Sequence, residues 1–170
     1  MNQSDLPFDS EETVRRARNR VMASRFMPAG DTCPCCDQFV KAYPRPITST
    51  MARWLIGLVR RWELEDRFYS TSEAWSLRIN RGTGDIAKLR YWGLAYTEPL
   101  PAGETRKRCS GNWKPTPDGI AFVYRKKSVP RRLWVYNSEI VCDDSDEERI
   151  DIVRALSKKF DYGELMRNEL

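Results

Sequence analysis

The chain has 170 residues, of which 41% are hydrophobic and 31% charged, with a net charge of +5. That apolar fraction excludes global disorder and suits one folded domain with a small annex, and no run of about 18 apolar residues is present to span a bilayer. Histidine is absent, which excludes Ser-His-Asp and Cys-His catalysis, histidine-ligated metal and a histidine pH switch.

The start, MNQSDLPFDSEE, is acidic and polar and lacks the basic and apolar regions of a signal peptide, so a cytoplasmic location is expected. Ser10 reads as an N-cap with Glu11 and Glu12 in the first turn. The spacing then predicts a helix from Glu11 to about Phe26, with Val14, Ala17 and Val21 on a narrow apolar stripe and Arg15, Arg16, Arg18, Arg20 and Arg25 around it. Pro28, Gly30 and Asp31 end it. Cys33-Pro34-Cys35-Cys36 follows, then a short strand from Phe39 to Tyr43.

The strongest helix signal starts at Thr48 or Ser49. Met51, Trp54, Leu55, Leu58, Val59 and Trp62 recur at i, i+3, i+4, i+7, i+8 and i+11, one wide apolar stripe expected in the core. Gly57 inside it suggests close approach of a neighbour. A weaker helix is predicted over 70–79, capped by Ser70, Thr71 or Ser72. A short helix from Asp85 to Trp92 carries Ile86, Leu89 and Trp92 on one edge, and Gly93 supplies its stop.

After Gly93 the period changes to two. Leu94–Thr97 reads as a strand, a loop with Arg106, Lys107 and Arg108 follows, and Pro117-Asp118-Gly119 is a turn or helix start. Leu133–Tyr136 and Ile140–Cys142 are strands joined at Asn137-Ser138, and a last helix carries Ile150, Val153, Ala155 and Leu156. The expected division is an N-terminal helix and CPCC segment at 1–46, a central domain at 47–136, and an acidic hairpin and helix extension at 137–170.

Charge is unevenly placed. Residues 139–170 hold ten acids and five bases, a balance of −5, which leaves +10 for residues 1–138. A basic body of this kind suits a polyanion. Trp113 and Trp134 fall on strands where exposure would make them a stacking surface for single strands or a protein partner.

Three helices followed by a basic hairpin make the run from Ile47 to Val123 resemble a winged helix-turn-helix domain of the MarR or ArsR kind. The resemblance rests on Asp85-Ile86-Ala87-Lys88-Leu89-Arg90-Tyr91-Trp92-Gly93-Leu94, the basic loop, and Trp113-Lys114-Pro115-Thr116-Pro117-Asp118-Gly119. The whole chain is also similar to small bacterial and bacteriophage proteins that share C-P-x-C, K-L-R-x-W-G-L and S-G-x-W-x-x-T-x-x-G. The resemblance implies an α+β fold with a winged-helix core and a non-enzymatic regulator of phage or prophage type. Its nucleic-acid contacts would be Lys88, Arg90 and Tyr91 from the recognition helix and Arg106, Lys107, Arg108 and Lys114 from the wing, on double-stranded DNA. The competing reading is an interaction protein that uses the same fold to bind a host nucleic-acid enzyme or defence factor. Its acidic C-terminal segment would then be the contact face or a nucleic-acid mimic.

Cys33 and Cys36 have the spacing of half a tetrahedral zinc site, which needs four ligands. Cys109 or Cys142 would complete it, or a homodimer would pair two such turns. A reduced turn and a redox pair are the other readings. No other cofactor is expected.

Overall fold

The computed structural model describes residues 14–24, 30–33, 36–74, 83–103, 110–136, 138–142 and 148–167. The first half contains helix α1 (Val14–Ser24), strands β1 (Asp31–Thr32), β2 (Phe39–Val40) and β3 (Tyr43–Pro46), helix α2 (Ser49–Leu64), strand β4 (Tyr69–Ser70) and helix α3 (Thr71–Ala74). A 3₁₀ helix (Thr83–Trp92), strands β5 (Ala95–Thr97) and β6 (Asn112–Pro115) and helix α4 (Pro117–Val123) follow. The chain continues through strands β7 (Val129–Pro130), β8 (Arg132–Tyr136), β9 (Glu139–Cys142) and β10 (Arg149–Ile150) to helices α5 (Ile152–Leu156) and α6 (Tyr162–Arg167). The protein is α+β. Among the described residues no helix is long and apolar enough to cross a membrane.

Two units emerge, one from the described residues of Met1–Arg45 and Leu133–Asp143, the other from those of Pro46–Arg132 and Asp144–Leu170. The chain therefore divides differently from the sequence expectation beyond residue 132. The β8–β9 hairpin groups with the N-terminal segment. The acidic extension's helix joins α2, because Ile152, Ala155 and Leu156 bury their side chains.

In the first unit, α1 packs on β1 and β2 through buried Ala17 and Val21. Val14, expected on the same stripe, is 67% exposed. Expected residues 10–13 and 25–26 of this helix lie outside the described residues. The single strand expected over Phe39–Tyr43 is two: β2 pairs with β1, and β3 starts at Tyr43. Pro44 and Pro46 give β3 no N–H at two of four positions, and it lies at the edge of the β3-β8-β9 sheet, where proline is tolerated. Tyr136 pairs with Glu139, and Asn137 of the expected hairpin turn lies outside the described residues.

The second unit is organised around α2. Thr48 caps it, its hydroxyl accepting from the Met51 N–H at 3.3 Å, and Met51, Trp54, Leu55, Leu58 and Val59 are buried as their spacing predicts. Trp62 corrects the expectation of a core residue. It is half-buried in the last turn, where its indole N–H donates to Asp66 at 2.6 Å. Gly57 lies against the Ala74 carbonyl, so near that a Cβ would come within 2.4 Å of its oxygen.

Strand β4 is absent from the sequence reading, because two residues are too few to show a period. Tyr69 is buried there, its hydroxyl within reach of the Arg61 and Glu65 carbonyls at 2.8 and 2.9 Å. Ser70 and Glu73 then form a reciprocal cap. The Ser70 N–H donates to Glu73 Oε2 at 2.8 Å and the Glu73 N–H to Ser70 Oγ at 3.2 Å. The remainder of the helix expected over 70–79, Trp75 included, lies outside the described residues.

That cap has a measurable signature. The Ser70 hydroxyl, the Ser70 N–H and then Arg67 hold the Glu73 carboxyl at about 2. Because the folded-state value is depressed, the associated stability is present above the unfolded carboxylate range and is lost as pH falls toward 2. With the Glu73 side chain 42% exposed, screening keeps that contribution below about 1 kcal/mol. An NMR titration should give Glu73 a midpoint near 2, and Ser70→Ala should raise it. An ordinary glutamate midpoint in the unmodified chain would contradict the cap.

Strands β4, β6 and β5 form an antiparallel sheet in that order, with Tyr69 opposite Trp113 and Ala95 opposite Pro115. Tyr69, Trp113, Ala95 and Pro115 all face inward and are buried. Trp113 meets Trp54 edge-on, centroids 5.9 Å apart and planes at 86°. In α5 Val153, expected on the apolar stripe, is 38% exposed, and Ile152 is buried beside Ala155 and Leu156, while Ile150, expected on the same stripe, lies in β10.

Candidate nucleic-acid interface

The segment expected as a recognition helix winds as 3₁₀ rather than α. Its sequence explains why. Ile86, Leu89 and Trp92 recur every three residues, and at about three residues per turn they form one row. All three are buried, at 1%, 0% and 8% exposure. The Trp92 indole N–H donates to the Pro130 carbonyl at 2.8 Å and ties the end of the helix to β7.

The same winding sets the other rows. Asp85, Lys88 and Tyr91 share a second one, so Lys88 is eclipsed with Asp85 and the two form an ion pair. Lys88 is 29% exposed. Arg90 lies on the third row, is exposed, and stacks on Tyr91 with its guanidinium carbon 5.1 Å from the ring centre. It also donates to the Tyr91 hydroxyl at 3.3 Å. Of the three expected helix residues, Arg90 presents its charge most openly to solvent, and Lys88 carries a neutralising carboxylate.

The hairpin that follows is pinned to the helix end by Thr116. Its N–H donates to the Leu94 carbonyl at 3.2 Å, its hydroxyl donates to the Gly93 carbonyl, and the same Thr116 Oγ1 accepts from the Gly119 N–H at 3.0 Å. The T-x-x-G step is thus an N-cap of α4 that also closes the base of the hairpin. Ser110 closes the other end, donating to the Glu98 carbonyl at 3.1 Å and accepting from the Asn112 N–H at 3.2 Å.

Lys114 differs from the expected wing contact. Its side chain is 19% exposed and pairs with Asp66 at 2.7 Å. That hydrogen bond raises the Lys114 pKa, and Lys114 followed by Trp62 lowers that of Asp66. The ammonium also lies 5.1 Å from the Phe68 ring centre. Phe68 meets Tyr96 edge-on at 5.6 Å, and Tyr96 is 44% exposed. Trp113, expected as a possible stacking surface, is 3% exposed and packs in the core, and Trp134 is half-buried. The exposed aromatic edge of the sheet is therefore Phe68–Tyr96, which sequence reading missed. Phe68-Tyr69-Ser70 carried the alternation, but over too few residues. Arg106, Lys107 and Arg108 lie outside the described residues.

Cys33 and Cys36 lie on a tight turn between β1 and β2, closed by the Cys33 N–H to the Gln38 carbonyl at 2.9 Å and the Asp37 N–H to the Cys33 carbonyl at 2.8 Å. Cys36 is exposed and Cys33 half-buried. They offer two thiolates of the four ligands a structural zinc needs. Among the described residues no group of three or more cysteine or acidic side chains is gathered for a metal. Cys109 and the Cys142 side chain lie outside the description.

No family model, curated protein or solved structure matches this chain.

Proposed function

We propose that residues 47–123 form a winged-helix domain that binds double-stranded DNA, in a regulator of phage or prophage type. The order of α2, β4, α3, the 3₁₀ helix and the β5–β6 hairpin supports this reading, with β4 joining the hairpin through β6. The observation that carries it is Arg90, exposed on a short helix whose opposite row is buried. Arg90 would meet a phosphate or the acceptor edge of a guanine, with Tyr91 beside it, and Arg106, Lys107 and Arg108 would add backbone contacts.

The test is a titration of a mixed-sequence duplex at about 50 and 200 mM salt, followed by anisotropy. With about three to five phosphate contacts, affinity should fall roughly 40- to 500-fold over that range. Arg90→Ala should weaken binding about 5- to 150-fold if it reads a guanine, or lower the salt slope by about one if it contacts a phosphate. Salt-insensitive binding unaffected by Arg90→Ala, or no binding, would refute the reading. One observation favours a protein partner as the second reading. Lys88 and Lys114 are neutralised by Asp85 and Asp66, which thins the positive face the duplex would need.

A further inference from the structure

A cavity of about 290 Å³ lies in the second unit, lined by Arg131, Arg154, Ser49 and Ser157 together with Ile47 and Ile150. The chain brings the two arginines together by backbone pairing. Arg149 is opposite Pro130 in the β10–β7 ribbon, and the Arg131 N–H donates to the Glu148 carbonyl at 2.8 Å, extending the ladder by one step. The Arg131 carbonyl in turn accepts from the Ile47 N–H at 3.0 Å, which sets the start of α2 against it. Asp151 caps α5 by accepting from the Arg154 N–H at 2.9 Å, which fixes the backbone of Arg154 one turn into that helix.

One carboxylate serves both guanidiniums. Glu148 Oε2 accepts from Arg131 Nη1 at 3.0 Å, and Glu148 Oε1 accepts from Arg154 Nη2. Among these three described side chains two positive charges face one negative. Each guanidinium has five N–H donors and gives one to Glu148, so the larger part of both forks is uncommitted to it. Ser49 and Ser157 also line the cavity. Donors arriving from several directions suit a tetrahedral oxyanion with three or four acceptor oxygens better than a planar carboxylate, which a single arginine fork satisfies.

We propose that this cavity is a phosphate-binding site, in which Arg131 and Arg154 grip a phosphoryl group, Ser49 and Ser157 supply hydroxyl donors, and Glu148 holds the arginines in place and competes with the ligand. The inference is independent of duplex binding by Arg90, because the cavity shares no residue with that helix.

The test is calorimetry on the full chain with inorganic phosphate as the probe, at ionic strength held constant with sodium chloride. Binding in the millimolar range is expected for the unmodified protein. Arg131→Gln and Arg154→Gln should each weaken it tenfold or more, whereas Glu148→Gln should tighten it about fivefold by removing the competing carboxylate, which a purely structural ion network would not do. All three groups are roughly half exposed, so their pairs are solvent-screened and the variants should keep a cooperative melt. Methyl phosphate and dimethyl phosphate distinguish the source. Binding of the dianionic monoester alone indicates free phosphate or a phosphomonoester, and equal binding of the diester indicates a polynucleotide backbone. The proposal is overturned if phosphate gives no heat with either the unmodified chain or Glu148→Gln, if acetate binds as well as phosphate, or if the double arginine variant binds phosphate undiminished.

Discussion

Trp54→Ala is expected to lower the unfolding free energy by about 3–5 kcal/mol, measured by urea denaturation with the slope unchanged. Trp54 is fully buried and is the largest side chain on the inner face of α2. Its ring fills the space between that helix and the sheet, meeting Trp113 edge-on, and its indole N–H donates to the Thr71 carbonyl at 3.2 Å. Truncation removes both contacts and leaves a cavity between two elements that other packing holds apart. Against a typical total of about 5–15 kcal/mol, such a loss leaves the domain marginal. Trp54→Phe separates the contributions, keeping an aromatic edge for Trp113 while losing the bond to Thr71, and should cost much less. Paired with Trp113→Ala in a double-mutant cycle, the two rings should show a coupling of about 0.5–1.5 kcal/mol. A loss below 1 kcal/mol for Trp54→Ala would mean that α2 and the sheet do not share one packed core.

What the sequence disclosed about this core follows from how strongly each element repeats. α2 repeats its apolar period over four turns, so its cap, buried face and neighbour-facing glycine were all legible. β4 has two residues and no period to read, yet it closes the sheet by pairing with β6. The four-residue edge strand β3 was hidden for a different reason, since two prolines read as a break rather than as a strand pairing on one side only. Trp62 sat at the right spacing but lies where α2 runs past the core, and Val153 lies on the outer face of α5, between buried Ile152 and Ala155.

At the candidate interface the residue types were legible and their states were not. Asp85 three residues before Lys88 was visible as a pairing distance, but whether it would be used depended on the helix winding. An α-helix staggers residues three apart, and a 3₁₀ helix eclipses them. Asp66 beside Lys114 was invisible, being 48 positions away in the chain and brought near by β4. The convergence of Arg131 and Arg154 on Glu148 is likewise a product of ladder register and a helix cap, with no local motif to announce it.

Gly119→Ala tests the joint that sets the 3₁₀ helix against the hairpin. Gly119 lies in the first turn of α4, and a Cβ there would be 2.0 Å from the Leu94 carbonyl oxygen and 2.9 Å from its carbon. Two effects oppose each other. Alanine favours a helix by about 1 kcal/mol over glycine, so a free α4 would be stabilised. The obstruction is backbone at the end of the 3₁₀ helix, which cannot rotate away as a side chain would. Overpacking costs about 1–3 kcal/mol where side chains can yield and more where they cannot, so a net loss of about 2 kcal/mol or more is expected. α4 must shift from Leu94, which breaks the Thr116 bonds to Leu94 and Gly93 and loosens the base of the hairpin. On the proposed function, duplex binding should weaken with it, because Arg90 lies one turn from the broken joint. Gly93→Ala is the contrasting variant: its φ is +64°, but nothing lies within 4 Å of an added Cβ. Only backbone strain of about 1 kcal/mol is expected there. Equal melting temperatures for the two variants would show that the approach of α4 to Leu94 is not a close contact in solution.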